Sequence, residues 1–118
     1  LPIERLLEKK KELAYEAGKR NNIKVLMGTE VDIKMDGTLD YPDEILRDLD
    51  VVVASVHSGF KMDRETMTSR IISAIKNPYV HAIGHPTGRL IGEREPYEVD
   101  IDLVIEAAAE YGKALEVN

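Results

Sequence analysis

Val51-Val52-Val53-Ala54-Ser55-Val56-His57-Ser58-Gly59 is the stretch on which the fold turns. Its first six residues form a short apolar run rich in β-branched side chains. Such a run is too short for a helix, and its two apolar faces suit a strand buried on both sides, as in a parallel sheet. The run ends abruptly in an imidazole followed by Ser-Gly, a polar break at the strand terminus.

Reading outward, extended and helical patterns alternate. Upstream, residues 24–33 read as a strand, and Asp36-Gly37 predicts a type I′ turn closing a small hairpin over residues 31–39. Pro42, followed by Asp43 and Glu44, opens a short helix running to about Asp48. Earlier still, Ile3, Leu6, Leu7, Leu13, Ala14 and Ala17 share one face of a helix that Gly18 can end. Downstream, Met67, Ile71, Ile72 and Ile75 mark a helix stopped at Asn77-Pro78, and Tyr79–Gly84 is a third strand. A helix from about Asp100 to Tyr111 turns Val104, Ile105 and Ala108 inward, with Gly112 as its stop, before a fourth strand over Ala114–Val117.

This alternation predicts an α/β fold of about four parallel strands joined by helical crossovers. There is no internal repeat, low-complexity segment or linker. A closed parallel barrel takes about 200 residues or more. A chain of 118 residues that starts in a helix without Met and stops on a strand therefore reads as a segment of a larger barrel. The alternative is a small open sheet.

Bulk properties bound the function. Apolar content of 43% and charged content of 32% describe an ordinary globular chain. The chain has no cysteine, which removes disulfides and thiolate metal sites and agrees with a cytoplasmic location. No apolar run approaches the roughly 20 residues of a membrane span, and the N-terminus has no signal-peptide pattern. A net charge of −6 argues against a broad basic grip on nucleic acid. It leaves room for a phosphate substrate held through metal cations.

Three polar residues stand at the ends of the first three strands: Glu30 after Val25–Thr29, His57 after the valine run, and His85 after Ile83-Gly84. Ligands gather at the C-terminal strand edge of parallel α/β folds, and two imidazoles with one carboxylate suit Zn²⁺, Mn²⁺ or Fe²⁺. Singly, each is more often a structural histidine or a salt-bridge partner. As a set at equivalent strand ends, they point to a metal or phosphate site, with the structural readings still open. His81 shares the face of His85 but lies about 13 Å back along an extended strand, so it is expected to be structural. Glu116 faces the same side as Asn118 and is expected to be buried with a polar partner. Lys61, Arg64 and the run Arg89–Glu95 read as solvated charge, the last alternatively as a loop over the site.

The stretches Gly28-Thr29-Glu30-Val31-Asp32-Ile33, Ser55-Val56-His57-Ser58-Gly59 and Gly84-His85-Pro86-Thr87-Gly88-Arg89-Leu90 together resemble the polymerase-and-histidinol-phosphatase (PHP) superfamily. The run continuing to Glu95-Pro96-Tyr97-Glu98-Val99-Asp100 is most similar to the C-terminal PHP domain of bacterial and archaeal family X DNA polymerases. Ala114-Leu115-Glu116-Val117-Asn118 also fits. The resemblance covers nearly the whole chain. It implies a partial (β/α) barrel of PHP type, with Glu30 as a bridging carboxylate and His57 and His85 as single-metal ligands, all three catalytic. It further implies substrate contacts from Ser58, Arg89 and Asn118, and up to three divalent ions, Mn or Zn, in the intact domain.

The family's His-x-His motif, a further His and a C-terminal Asp-x-His are absent from this sequence, which has only three histidines. Residues 1–118 are accordingly expected to be a fragment holding an incomplete site, inactive alone. The implied chemistry is phosphate-ester hydrolysis by metal-activated water. The implied partner is a DNA 3′ end, processed as a 3′–5′ exonuclease in the intact parent, with no membrane involved. The alternatives are a small-molecule phosphatase of the histidinol-phosphatase type and an inactive structural or interaction segment. Half a barrel would also leave strand edges through which the fragment is expected to self-associate.

Overall fold

A computed structural model describes residues 2–19, 24–88 and 96–117. The elements are α1 (Ile3–Gly18), β1 (Gly28–Asp32), α2 (Asp43–Leu46), β2 (Val51–Ser55), α3 (Arg64–Lys76), β3 (Ala82–Ile83), α4 (Ile101–Tyr111) and β4 (Ala114–Leu115). The four strands form one sheet in the order β1-β2-β3-β4, every neighbouring pair parallel. The α/β reading of the sequence holds: four parallel strands alternate with helices, as in part of a (β/α) barrel of PHP type.

β2 is interior, paired with β1 from Gly28↔Val51 to Asp32↔Ser55 and with β3 at Val53↔Ala82 and Ala54↔Ile83. Its Val52, Ala54 and Ser55 are buried, as is Val56 just beyond it. Val31, Ile33 and Ile83 join them, and Met67, Ile71, Ala74 and Ile75 of α3 and Val104, Ala107 and Ala108 of α4 pack into the same core, as do Leu6, Met27, Leu46, Leu49, Val80 and Tyr97. Full burial of one Val or Ile side chain contributes about 1.5–3 kcal/mol, so this contact layer is the main source of stability. Among the described residues no helix is long and apolar enough to cross a membrane.

Side-chain caps set the helix starts. The Asp63 carboxylate accepts from the Thr66 N–H at 2.7 Å, and Asp100 accepts from the Leu103 N–H at 3.3 Å. These bonds satisfy donors that a helix N-terminus leaves unpaired. α4 ends at Gly112, in the left-handed region at φ 68, as a C-terminal glycine stop requires.

Several expectations are corrected. On α4, Ile105 is 50% exposed and Ala107 takes the inward position. On α1, only Leu6 is buried; Leu7 and Ala14 are exposed, and the Ala17 side chain lies outside the described set. The third strand is shorter than Tyr79–Gly84. The Asn77 side chain accepts from the Tyr79 N–H and the Asn77 carbonyl from the Val80 N–H, so a turn uses the first residues. The hairpin exists, with Ile33 bridged to Leu39 and Lys34 N–H bonded to the Thr38 carbonyl. Its turn is not type I′, which needs positive φ at both central residues. Of the pair Asp36-Gly37 only Gly37 is at positive φ (88°), giving a three-residue loop over residues 35–37. Asp36 instead accepts from the Thr38 N–H and hydroxyl. These bonds hold its carboxyl below the usual carboxylate range.

Candidate metal site

β1 carries Glu30 and, two residues on, Asp32 at its last position. His57 lies two residues beyond β2, and His85 two residues beyond β3. Glu30, expected at a strand end, is the central residue of β1 in register with Val53, and its side chain still meets those of His57 and His85 beyond the C-terminal ends of β2 and β3. There, one ligand atom from each of Glu30, His57 and His85 lies within 4.8 Å of the others. His57 Nε2 is 2.9 Å from Glu30 Oε1, and the two imidazoles meet edge to face with centroids 5.3 Å apart.

Each of the three is held from behind. Ser55, fully buried, donates its hydroxyl to Glu30 Oε1 at 2.9 Å. The other nitrogen of His57, Nδ1, contacts Asp32 Oδ1. The His85 N–H donates to Glu116 Oε1 at 3.0 Å. His85 itself sits at φ 29, the single non-glycine residue at positive φ among the described residues. A strained backbone of this kind persists where surrounding bonds over-determine it. Here the Gly88 N–H and the Tyr97 hydroxyl both donate to the His85 carbonyl, and Tyr97 also donates to the Pro86 carbonyl at 3.0 Å. Tyr97 reaches that position because residue 88 has no side chain: a Cβ there would lie 2.1 Å from its ring.

Beneath the site, Arg70 is 2% exposed and donates to the carbonyls of Ile33, Lys34 and Gly59. It thus clasps the segment after β1 to the loop after His57. Burial lowers its pKa, with Tyr97 and Asp32 acting in the opposite sense, and a guanidinium stays charged under such a shift. Sequence reading missed Arg70, Asp32 and Ser55. A signal for Arg70 was available: it is the cation on the stripe formed by Met67, Ile71, Ala74 and Ile75.

The other expected residues divide. His81 is structural as expected, its Nδ1 accepting the Val52 N–H at 2.9 Å. Glu116 has a partner in His85, but its side chain is 46% exposed and not buried. Ser58 is exposed beside His57, and Lys61 and Arg64 are exposed too. Arg89, the rest of the run to Glu95, and Asn118 lie outside the described residues.

The donor set fits a divalent cation on two grounds. One carboxylate and two imidazoles are ligands of Zn²⁺ and Mn²⁺ class ions. In addition, His85 Nε2 is buried without a hydrogen-bond partner. An unsatisfied buried polar atom costs about 1–3 kcal/mol, a cost that coordination of that nitrogen would remove.

A parallel α/β sheet with a Glu-His-His cluster at its C-terminal edge offers the donor set of a divalent-metal site. No protein-family model matches the chain. Over all 118 residues it is 45% identical to the DNA polymerase/3′-5′ exonuclease PolX of Bacillus subtilis, covering 21% of that protein. Over 104 residues it is 42% identical to a probable phosphatase of Caldanaerobacter subterraneus subsp. tengcongensis and 44% identical to one of Thermoanaerobacter sp.. It covers 39% and 40% of these two. The chain therefore spans about a fifth of the polymerase and about two fifths of the phosphatases. The chain is thus similar along its whole length to a section of PolX, and along most of its length to sections of the two probable phosphatases.

Proposed function

We propose that this chain is a section of a metal-dependent phosphoesterase barrel that removes nucleotides or blocking groups from DNA 3′ ends. The convergence of Glu30, His57 and His85, with a buried imidazole nitrogen left unpaired, carries the reading. Identity of 45% to PolX along every residue supports the DNA 3′ end as substrate. A divalent ion bound here, Mn²⁺ or Zn²⁺, would supply Lewis acidity and a lowered pKa of water for phosphoryl chemistry. Glu30 would hold it through a carboxylate oxygen, and His57 and His85 through ring nitrogens. Ser58, Arg89 and Asn118 are assigned to the substrate, Arg89 through charge-assisted bonds to phosphate. The chain's own charge of −6 requires the basic grip on DNA to come from other parts of the protein.

A second reading, a small-molecule phosphatase, is favoured by the probable phosphatases at 42–44% identity. The two separate in one experiment on the full-length protein. Hydrolysis of a 3′-terminated oligonucleotide and of histidinol phosphate is measured with and without Mn²⁺. The proposal expects Mn²⁺-dependent cleavage of the oligonucleotide, lost by about 100-fold or more in Glu30→Ala, His57→Ala and His85→Ala, because direct ligands should matter at least as much as their supports. Turnover of histidinol phosphate alone would establish the second reading. Inactivity with every metal would leave a structural role.

A further inference from the structure

The three ligand residues account for only one face of the His57 ring. Nε2 points toward Glu30, on the side where His85 converges, while Nδ1 points away to Asp32. Asp32 does not belong to the converging group. Its backbone is also fixed: its N–H donates to Asp40 Oδ1 at 3.1 Å, and its carbonyl accepts from the Asp40 N–H at 3.2 Å. The hairpin after β1 therefore clamps Asp32 from both backbone groups while its carboxylate faces the ring.

We propose that Asp32 is a positioning residue for the metal site, holding the His57 proton on Nδ1 so that Nε2 is presented, unprotonated, as the ligand. This rests on the metal-site reading above. An imidazole has two equivalent-looking nitrogens, and in water its proton exchanges between them. Both ring nitrogens face a carboxylate, Glu30 at Nε2 and Asp32 at Nδ1; with a cation bound between Nε2 and Glu30, the acceptor at Nδ1 would fix one tautomer, limit ring rotation and make Nε2 a stronger donor. Asp32 achieves this from the same strand as Glu30, two residues apart and so on the same face. One short strand thus supplies both an anionic ligand and the orienter of a second ligand carried by its neighbour.

The test uses the full-length protein and Mn²⁺ binding read by calorimetry, alongside thermal unfolding of the metal-free form. Asp32→Ala should weaken Mn²⁺ affinity about 10–100-fold, the range for lost outer partners of ligating histidines. Asp32→Asn, whose side-chain oxygen still accepts from Nδ1–H, should regain part of that loss. It also carries the test if the alanine variant does not fold. In the Zn²⁺-loaded protein, ¹⁵N-detected histidine spectra should show His57 protonated at Nδ1, and this signature should vanish in Asp32→Ala. Wild-type affinity in both variants, with His57→Ala still losing metal, would overturn the role of Asp32 while leaving the metal site standing. If wild type binds no Mn²⁺, or His57→Ala binds it equally, the metal reading falls and this assignment with it.

Discussion

At the scale of single residues, the candidate site depends on an absent side chain as much as on those present. Gly84 packs against Ser55 so closely that a Cβ would lie 2.5 Å from its hydroxyl oxygen, and that hydroxyl is bonded to Glu30. The position calls for glycine through steric approach, its φ not being positive. Gly84→Ala should cost about 1–3 kcal/mol, as overpacking of a buried contact does. With Ser55→Ala already in place the main obstacle is gone, since the Ser55 Cβ lies 3.6 Å away and only a close contact with Val53 Cγ1 at 3.3 Å remains. The same glycine substitution should then cost less by at least about 0.5 kcal/mol, the scale on which touching residues couple. Urea unfolding of the four members of this cycle checks it. Equal costs in both backgrounds would mean that Ser55 is not what excludes a larger residue.

Among the elements, α3 carries the clearest electrostatic signature. Asp63 caps its first turn, and bonds from the backbone and side chain of Thr66 hold the Asp63 carboxyl below its ordinary value. A folded-state pKa below the unfolded one means stability that is present at neutral pH. It is lost as pH falls from about 4 through the depressed value. Asp63→Asn keeps a good cap without the titration. Between about pH 5 and pH 3 this variant should lose less stability than wild type in urea unfolding. Parallel acid sensitivity would refute a titrating cap. Element identity and order were legible in the sequence because apolar periodicity reports burial directly. Element ends were less so. Asn77 diverts the start of β3 into a turn, and Ala107 replaces Ile105 on the inner face of α4. The Asn77 turn is local, an Asx turn that the apolar strand pattern masked, whereas the inner face of α4 depends on what lies opposite, which local pattern does not encode.

Taken as a whole molecule, the sheet has β1 and β4 at its edges, with no further strand paired to either among the described residues. Leu26, just before β1, is 52% exposed, and Val117, just after β4, is 93% exposed. Open parallel edges flanked by apolar side chains favour pairing between chains. The 118-residue chain on its own should therefore form concentration-dependent oligomers in sedimentation velocity. A single monomeric species at high concentration would count against this. The sequence by itself determined the α/β alternation and singled out Glu30, His57 and His85 as candidates, because periodicity and residue chemistry are local properties; that Glu30 sits at the centre of β1 and not at its end was not legible. That these three meet within 4.8 Å was decided only by tertiary structure, as were the supports Asp32, Ser55 and Arg70. Parallel registry joins residues far apart in the chain, from Gly28↔Val51 to Ala82↔Ala114, and a carboxylate, a hydroxyl or a buried guanidinium gains its role only from the group set against it.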